Sequence, residues 1–196
     1  MEAKQTPVKH ALLLRAIPAA EQLIRDDHFS LENLCHAMDC SLRDLAEAVG
    51  SVDELILHVN DHFMADYLVR AEQVDAEAGG DNLKGLQALS LAWLDYAKAH
   101  PLQVKYLLQH RWSPGFERPE WYMDRVSACF VPTENRLKKL APHADPSVIR
   151  GAARAIYAEI CGLVFLSINE RSTPAGIASQ QQLLLGSVAW MAKGLA

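Results

Sequence analysis

Positive charge is scarce where this chain begins. Residues 1–70 hold 6 Lys and Arg against 12 Asp and Glu, whereas residues 71–196 hold 13 against 12. The first stretch is therefore short of the cations by which proteins neutralise nucleic-acid phosphates. Long apolar runs are missing too. Each one is interrupted short of the roughly 20 residues needed to cross a bilayer, so no membrane partner is expected. The brief ALLLRAI run near the start passes at once into a charged helix, which is not the plan of a signal peptide. The four cysteines, Cys35, Cys40, Cys129 and Cys161, have no CxxC spacing and lie in apolar helical patterns. They read as buried reduced thiols of a cytoplasmic protein. Strand-like alternation, internal repeats and low-complexity tracts are absent. So are G-x-S-x-G, a phosphate-cradling glycine loop and a telling carboxylate pair, which argues against an enzyme and implies no cofactor.

What is present is helical. Half of the 196 residues are apolar and 22% are charged, enough to bury a sizeable core. The periodicity predicts a first helix from about Pro18 to about Asp27, with ALLLRAI as an extra turn, and Ala19, Ala20, Leu23 and Ile24 as its apolar stripe. Ser30 starts a second helix with Leu31, Leu34, Cys35 and Met38 inward. Asp39 occupies a turn, and Ser41 starts a third helix with Leu42, Leu45 and Val49 inward. Gly50 ends it. Ser51 and Glu54 form an S-x-x-E box opening a long fourth helix, with Leu55, Val59, Phe63 and Tyr67 at four-residue steps. Gly79-Gly80 ends that helix. Beyond it the pattern gives helices over 83–99, 102–109, 122–140, 148–169 and 177–195, with a Pro- and Gly-rich loop from Trp112.

Two short helices, a tight turn and a third helix are the layout of a helix-turn-helix DNA reader. The frame from Ser30 to Leu55 resembles the tetracycline-repressor (TetR) family without insertion. LAWLDYAKAHPLQVKYLL, from Leu91, resembles a segment opening many of that family's ligand domains. Tyr157–Gly162 stands where one subclass carries W-x-x-x-H-G, with Tyr for Trp and Cys161 for His. The resemblance implies an all-α fold of about nine helices: a three-helix DNA-binding module over 1–60, joined by the long helix to a ligand-binding and dimerisation domain over 61–196. It implies a transcriptional regulator, a repressor in kind, with three partners: a double-stranded DNA operator, a small-molecule effector and a second copy of the chain.

The resemblance also assigns residues. Ser30, Ser41, Leu42, Arg43, Asp44 and Lys9 are the candidates at DNA, with Lys4 and Arg15 in the same N-terminal arm. The glycine of the family's turn is Asp39 here. The phosphate-contacting tyrosine, histidine and lysine are Ala46, Ala48 and Val52. Arg43 is the only basic residue on the third helix, and it reads equally as a DNA contact or as the i,i+4 partner of Glu47. Aromatics crowd residues 93–130. Trp93, Tyr96, Tyr106, Trp112, Trp121 and Tyr122, with His110, Arg111 and Glu159 as polar groups, are the candidate lining of a pocket for an apolar or aromatic ligand; ordinary core is the alternative. Ala155, Ala158, Gly162, Phe165, Leu184 and Val188 are the candidate dimer face. His58 and His62 have zinc-compatible spacing but read as a surface pair, so no metal is expected. The thinned DNA face leaves a second reading open: a TetR-fold ligand- or lipid-binding dimer, or an interaction module, that has lost DNA binding.

Overall fold

The structure is a computed structural model describing residues 7–169 and 174–195, with side chains described over 11–166 and 179–195. Ten α-helices and no strand occur among the described residues: α1 Pro7–Arg25, α2 Leu31–Met38, α3 Leu42–Val49, α4 Val52–Glu77, α5 Asn82–Ala99, α6 Pro101–Gln109, α7 Glu120–Ala128, α8 Val131–Leu140, α9 Pro146–Asn169 and α10 Pro174–Leu195. The expected all-α class is what forms.

Two helices differ from the sequence pattern. α1 begins at Pro7 and carries Pro18 in its interior rather than at its start. Proline there removes one backbone N–H and crowds the preceding turn. The helix continues because one stripe runs past it: Leu13, Ala16, Ala20 and Ile24 are all buried, at three- and four-residue steps. The segment expected as one helix over 122–140 is two, α7 and α8. Pro132 lies in the first turn of α8, where its missing N–H costs nothing, but it could not continue α7. That break supplies the tenth helix.

The chain forms two compact units. The first is Met1–Phe63 with Leu102–Tyr122, and the second is Met64–Pro101 with Met123–Ala196, so α4 divides at Phe63–Met64. In the first unit α1, α2 and α3 pack on one another. Ile24, Leu34, Leu45, Leu55 and Ile56 are almost wholly buried there. Each such side chain contributes about 1.5–3 kcal/mol by leaving water. Leu42 does not face inward as the periodicity suggested. It is 57% exposed, and Ala48, at 3%, takes the inward place instead.

In the second unit α5 packs against α8, α9 and α10, with Leu86, Leu89, Trp93 and Leu94 buried. Arg136 precedes Lys138 and Lys139 near the end of α8, yet only 4% of its side chain is exposed. Its Nε donates to Asp75 Oδ1 at 2.6 Å, and its two terminal nitrogens donate to the carbonyls of Gly79 and Asp75 at 2.7 Å. A Cβ on Gly85 would lie 2.6 Å from the guanidinium carbon. Glycine there is a requirement of close approach.

Candidate nucleic-acid interface

Both short helices are fixed at each end by local chemistry. Ser30 and Ser41 lie in extended conformation as N-caps; their Oγ atoms accept from Asn33 N at 3.0 Å and Asp44 N at 3.1 Å. The turns on either side of α2 share one device. Asp27 N donates to Ile24 O and His28 N to Leu23 O; Asp39 N donates to His36 O and Cys40 N to Cys35 O. These are two Schellman closures, with Asp27 (φ 56°) and Asp39 (φ 50°) in the left-handed position usually held by glycine. Aspartate is among the few side chains that tolerate it. α3 ends differently. Gly50 has φ 76° and ψ −70°, and Ser51 N donates to Val49 O at 3.0 Å, closing a γ-turn of positive φ that favours glycine.

The outer face of α3 presents Leu42, Arg43, Asp44, Ala46 and Glu47, all exposed. Arg43, with 87% of its side chain exposed, donates from Nε to Glu47 Oε1 at 3.1 Å. An exposed i,i+4 pair of this kind is worth only about 0.3–0.5 kcal/mol, so a phosphate or a base edge would displace it. Asp44 accepts from the Ser41 hydroxyl at 2.6 Å and places a carboxylate at the N-terminus of α3, where a phosphate would otherwise be welcome. Of the positions where the family carries phosphate contacts, Ala46 and Val52 are exposed while Ala48 is core. Arg15 Nη2 donates to the Met38 carbonyl at 3.1 Å, so it caps α2 from α1. Lys4 and the side chain of Lys9 lie outside the described residues.

The first unit also holds a buried carboxylate. Asp53, in the first turn of α4, is 3% exposed. It accepts from His110 Nε2 at 2.6 Å and from Ser113 N at 3.0 Å. Burial alone would raise its carboxyl above 3.8; the Ser113 and His110 hydrogen bonds outweigh that and hold it below. His110 therefore donates from Nε2, because a carboxylate can only accept. Trp112 meets His110 edge-on at 4.6 Å between ring centres and stacks on Phe116 at 5.6 Å. Elsewhere in the same unit His62 Nδ1 pairs with the buried Glu21 at 2.5 Å, and His58 stacks on Trp121 at 5.2 Å. The two histidines thus have different partners. Burial lowers the His58 ring below its ordinary range, against the opposing pull of Asp61 and Glu54.

The expected ligand-lining residues divide between the units. Tyr106, His110, Trp112, Trp121 and Tyr122 fall in the first; Trp93, Tyr96 and Glu159 fall in the second. In the second, Trp93 packs on Tyr67, Tyr96 and Tyr157, with ring centres 4.7 to 6.2 Å apart. Glu159 accepts from the Ser187 hydroxyl, linking α9 to α10. Arg111 is exposed. Of the expected dimer face, Ala155, Ala158, Gly162 and Phe165 are exposed along α9. Leu184 and Val188 are corrected: each is 0% exposed within its own chain, and among the described residues of α10 the outward large apolar side chains are Leu183 and Trp190. Nothing in the local sequence distinguishes Asp53, Glu21 or Arg136 as buried. An acid in a first helical turn is ordinarily a solvated complement to the helix dipole, and nothing local to Asp53 marks it as buried.

No family sequence model matches the chain, and no curated protein matches it by sequence. Solved structures do match. A protein of unknown function from Rhodococcus sp. RHA1 superposes with a TM-score of 0.69 at 17% identity, over 100% of this chain and 99% of that one. A TetR variant from Acinetobacter baumannii AYE, in complex with minocycline, gives 0.67 at 16% identity over 92% and 96%. The TetR family transcriptional regulator PfmR from Thermus thermophilus gives 0.62 at 14% over 93% and 96%. The chain has the TetR fold.

Proposed function

We propose that this chain is a homodimeric, TetR-like DNA-binding transcriptional regulator, a repressor that releases its operator when a small apolar or aromatic ligand binds. The observation that carries the reading is the α2–turn–α3 unit. Both helices are serine-capped, Leu34, Met38, Leu45 and Val49 anchor them in the core, and α3 keeps an outward face with Arg43 at its start. The packing of the first unit does not require Arg43, whose side chain is exposed beside Glu47. A ligand acts by favouring the conformation with lower operator affinity.

The acidic surroundings favour a second reading, a TetR-fold ligand- or lipid-binding dimer or interaction module that no longer reads DNA. Asp44 lies beside Arg43, Glu47 engages it, and Asp39 fills the turn. The two readings separate in a salt titration of binding to DNA from the region upstream of the chain's own gene. The repressor reading expects measurable binding at low salt that weakens linearly in log–log form, with a slope reflecting only a few phosphate contacts. A slope near zero, or absence of binding even at low salt, would defeat the repressor reading. Arg43→Ala should weaken specific binding by roughly 1–3 kcal/mol if Arg43 reads a base edge. Unchanged affinity would remove α3 from the interface.

A further inference from the structure

We propose that Cys35 and Cys40 are a modification site: an oxidisable dithiol that closes to an intramolecular disulfide across the turn between α2 and α3. The Schellman closure of α2 places them together. Cys40 N donates to Cys35 O at 3.1 Å, so the two cysteines occupy the positions whose side chains meet in this motif. Both side chains are partly exposed. The backbone has no large rearrangement to make before the sulfurs can join.

Burial, then the neighbouring Cys35, hold the Cys40 thiol above its ordinary range; Asp44 adds to this and Arg15 opposes it. Either sulfur, each partly exposed, can attack first, and the steps are equivalent with the two exchanged. The oxidant is a low-molecular-weight disulfide such as glutathione disulfide. The Cys35 thiolate attacks one of its sulfurs and expels a glutathione thiolate. That thiolate takes up the Cys40 proton through solvent. The Cys40 sulfur then attacks Cys35 and expels the second glutathione, which is protonated from the proton Cys35 gave up. Two protein thiols are oxidised and one disulfide is reduced to two thiols. The product staples the C-terminal turn of α2 to the residue preceding the Ser41 cap of α3.

The test is peptide mapping of the whole chain and needs no DNA. The full-length protein is incubated with glutathione disulfide, alkylated, and digested with trypsin. Residues 26–43 form one tryptic peptide carrying both cysteines, while Cys129 and Cys161 lie elsewhere and serve as internal references. The expected result is that peptide 26–43 loses two hydrogens and escapes alkylation. Cys40→Ser should instead accumulate a glutathione adduct on Cys35. The proposal is overturned if the wild-type peptide stays fully alkylated, or carries two glutathione adducts or intermolecular links in place of the internal bond.

Discussion

Asp53 illustrates what single residues contribute beyond their own helix. Its partner His110 lies 57 residues further along the chain, and Ser113 lies 60. Nothing in the local pattern announces either pairing, because a first-turn aspartate looks the same in sequence whether it meets water or a histidine. The consequence is measurable. The folded-state pKa of Asp53 is lowered from 3.8, so its contribution is complete above that value and is lost as pH falls through the lower folded value. Asp53→Asn leaves an oxygen for one donor but turns an amide N–H₂ toward the other. With a side chain 4% exposed, that should cost about 1–3 kcal/mol at neutral pH. Thermal unfolding from pH 7 downward then checks the sign. The gap in Tm between wild type and variant should narrow in acid, as the wild-type carboxylate is protonated. A gap that stays constant through the acid range would mean that the lowered pKa is not the source of the stability.

At the scale of elements, the two turns bounding α3 respond to glycine in opposite senses. Asp39 occupies a left-handed conformation that costs a non-glycine residue about 1–2 kcal/mol. Glycine would remove that cost while losing about 0.5–1 kcal/mol through greater freedom in the unfolded chain. Asp39→Gly should therefore be neutral to about 1 kcal/mol stabilising. Gly50 has φ 76° in a γ-turn, and a Cβ there also meets the flexible carboxylate of Glu54. Glu54 can move, but the backbone cannot, so Gly50→Ala should destabilise by about 1–3 kcal/mol. Urea unfolding of the two variants measures both signs. A stabilised Gly50→Ala would show that the γ-turn does not persist in solution. These elements were largely legible in the sequence, because serine caps and buried stripes are local signals. The exceptions came from proline. At Pro18 a continuous stripe overrode the expected helix start, and at Pro132 the break was missed. Arg136 was illegible for a different reason: its burial depends on Asp75 and Gly79 near the end of α4, more than fifty residues away.

For the molecule as a whole, the exposed apolar residues of the last two helices argue for a second copy of the chain. Scattered exposed leucines are ordinary on any protein. Here Phe165 and Leu166 are 53% and 49% exposed on α9, and Leu183 and Trp190 are 60% and 76% exposed on α10. Leu183 and Trp190 are seven residues apart, two turns along one face. On α9 the exposed Ala155, Ala158 and Gly162 leave room for another helix to approach closely, with Phe165 at the end of the same stripe. Paired across a two-fold axis, such faces would bury apolar surface against apolar surface. Sedimentation equilibrium should then return twice the 21.7 kDa chain mass. Leu183→Glu and Trp190→Glu should return the single-chain mass with helix content unchanged, since both side chains face outward in the protomer. Leu184→Glu is the contrast. Its side chain is 0% exposed, so a carboxylate there should unfold the second unit rather than merely separate two copies. If Trp190→Glu and Leu183→Glu both sediment as dimers, the partner surface lies on other elements, and the resemblance to the TetR dimer ends at the fold of the single chain.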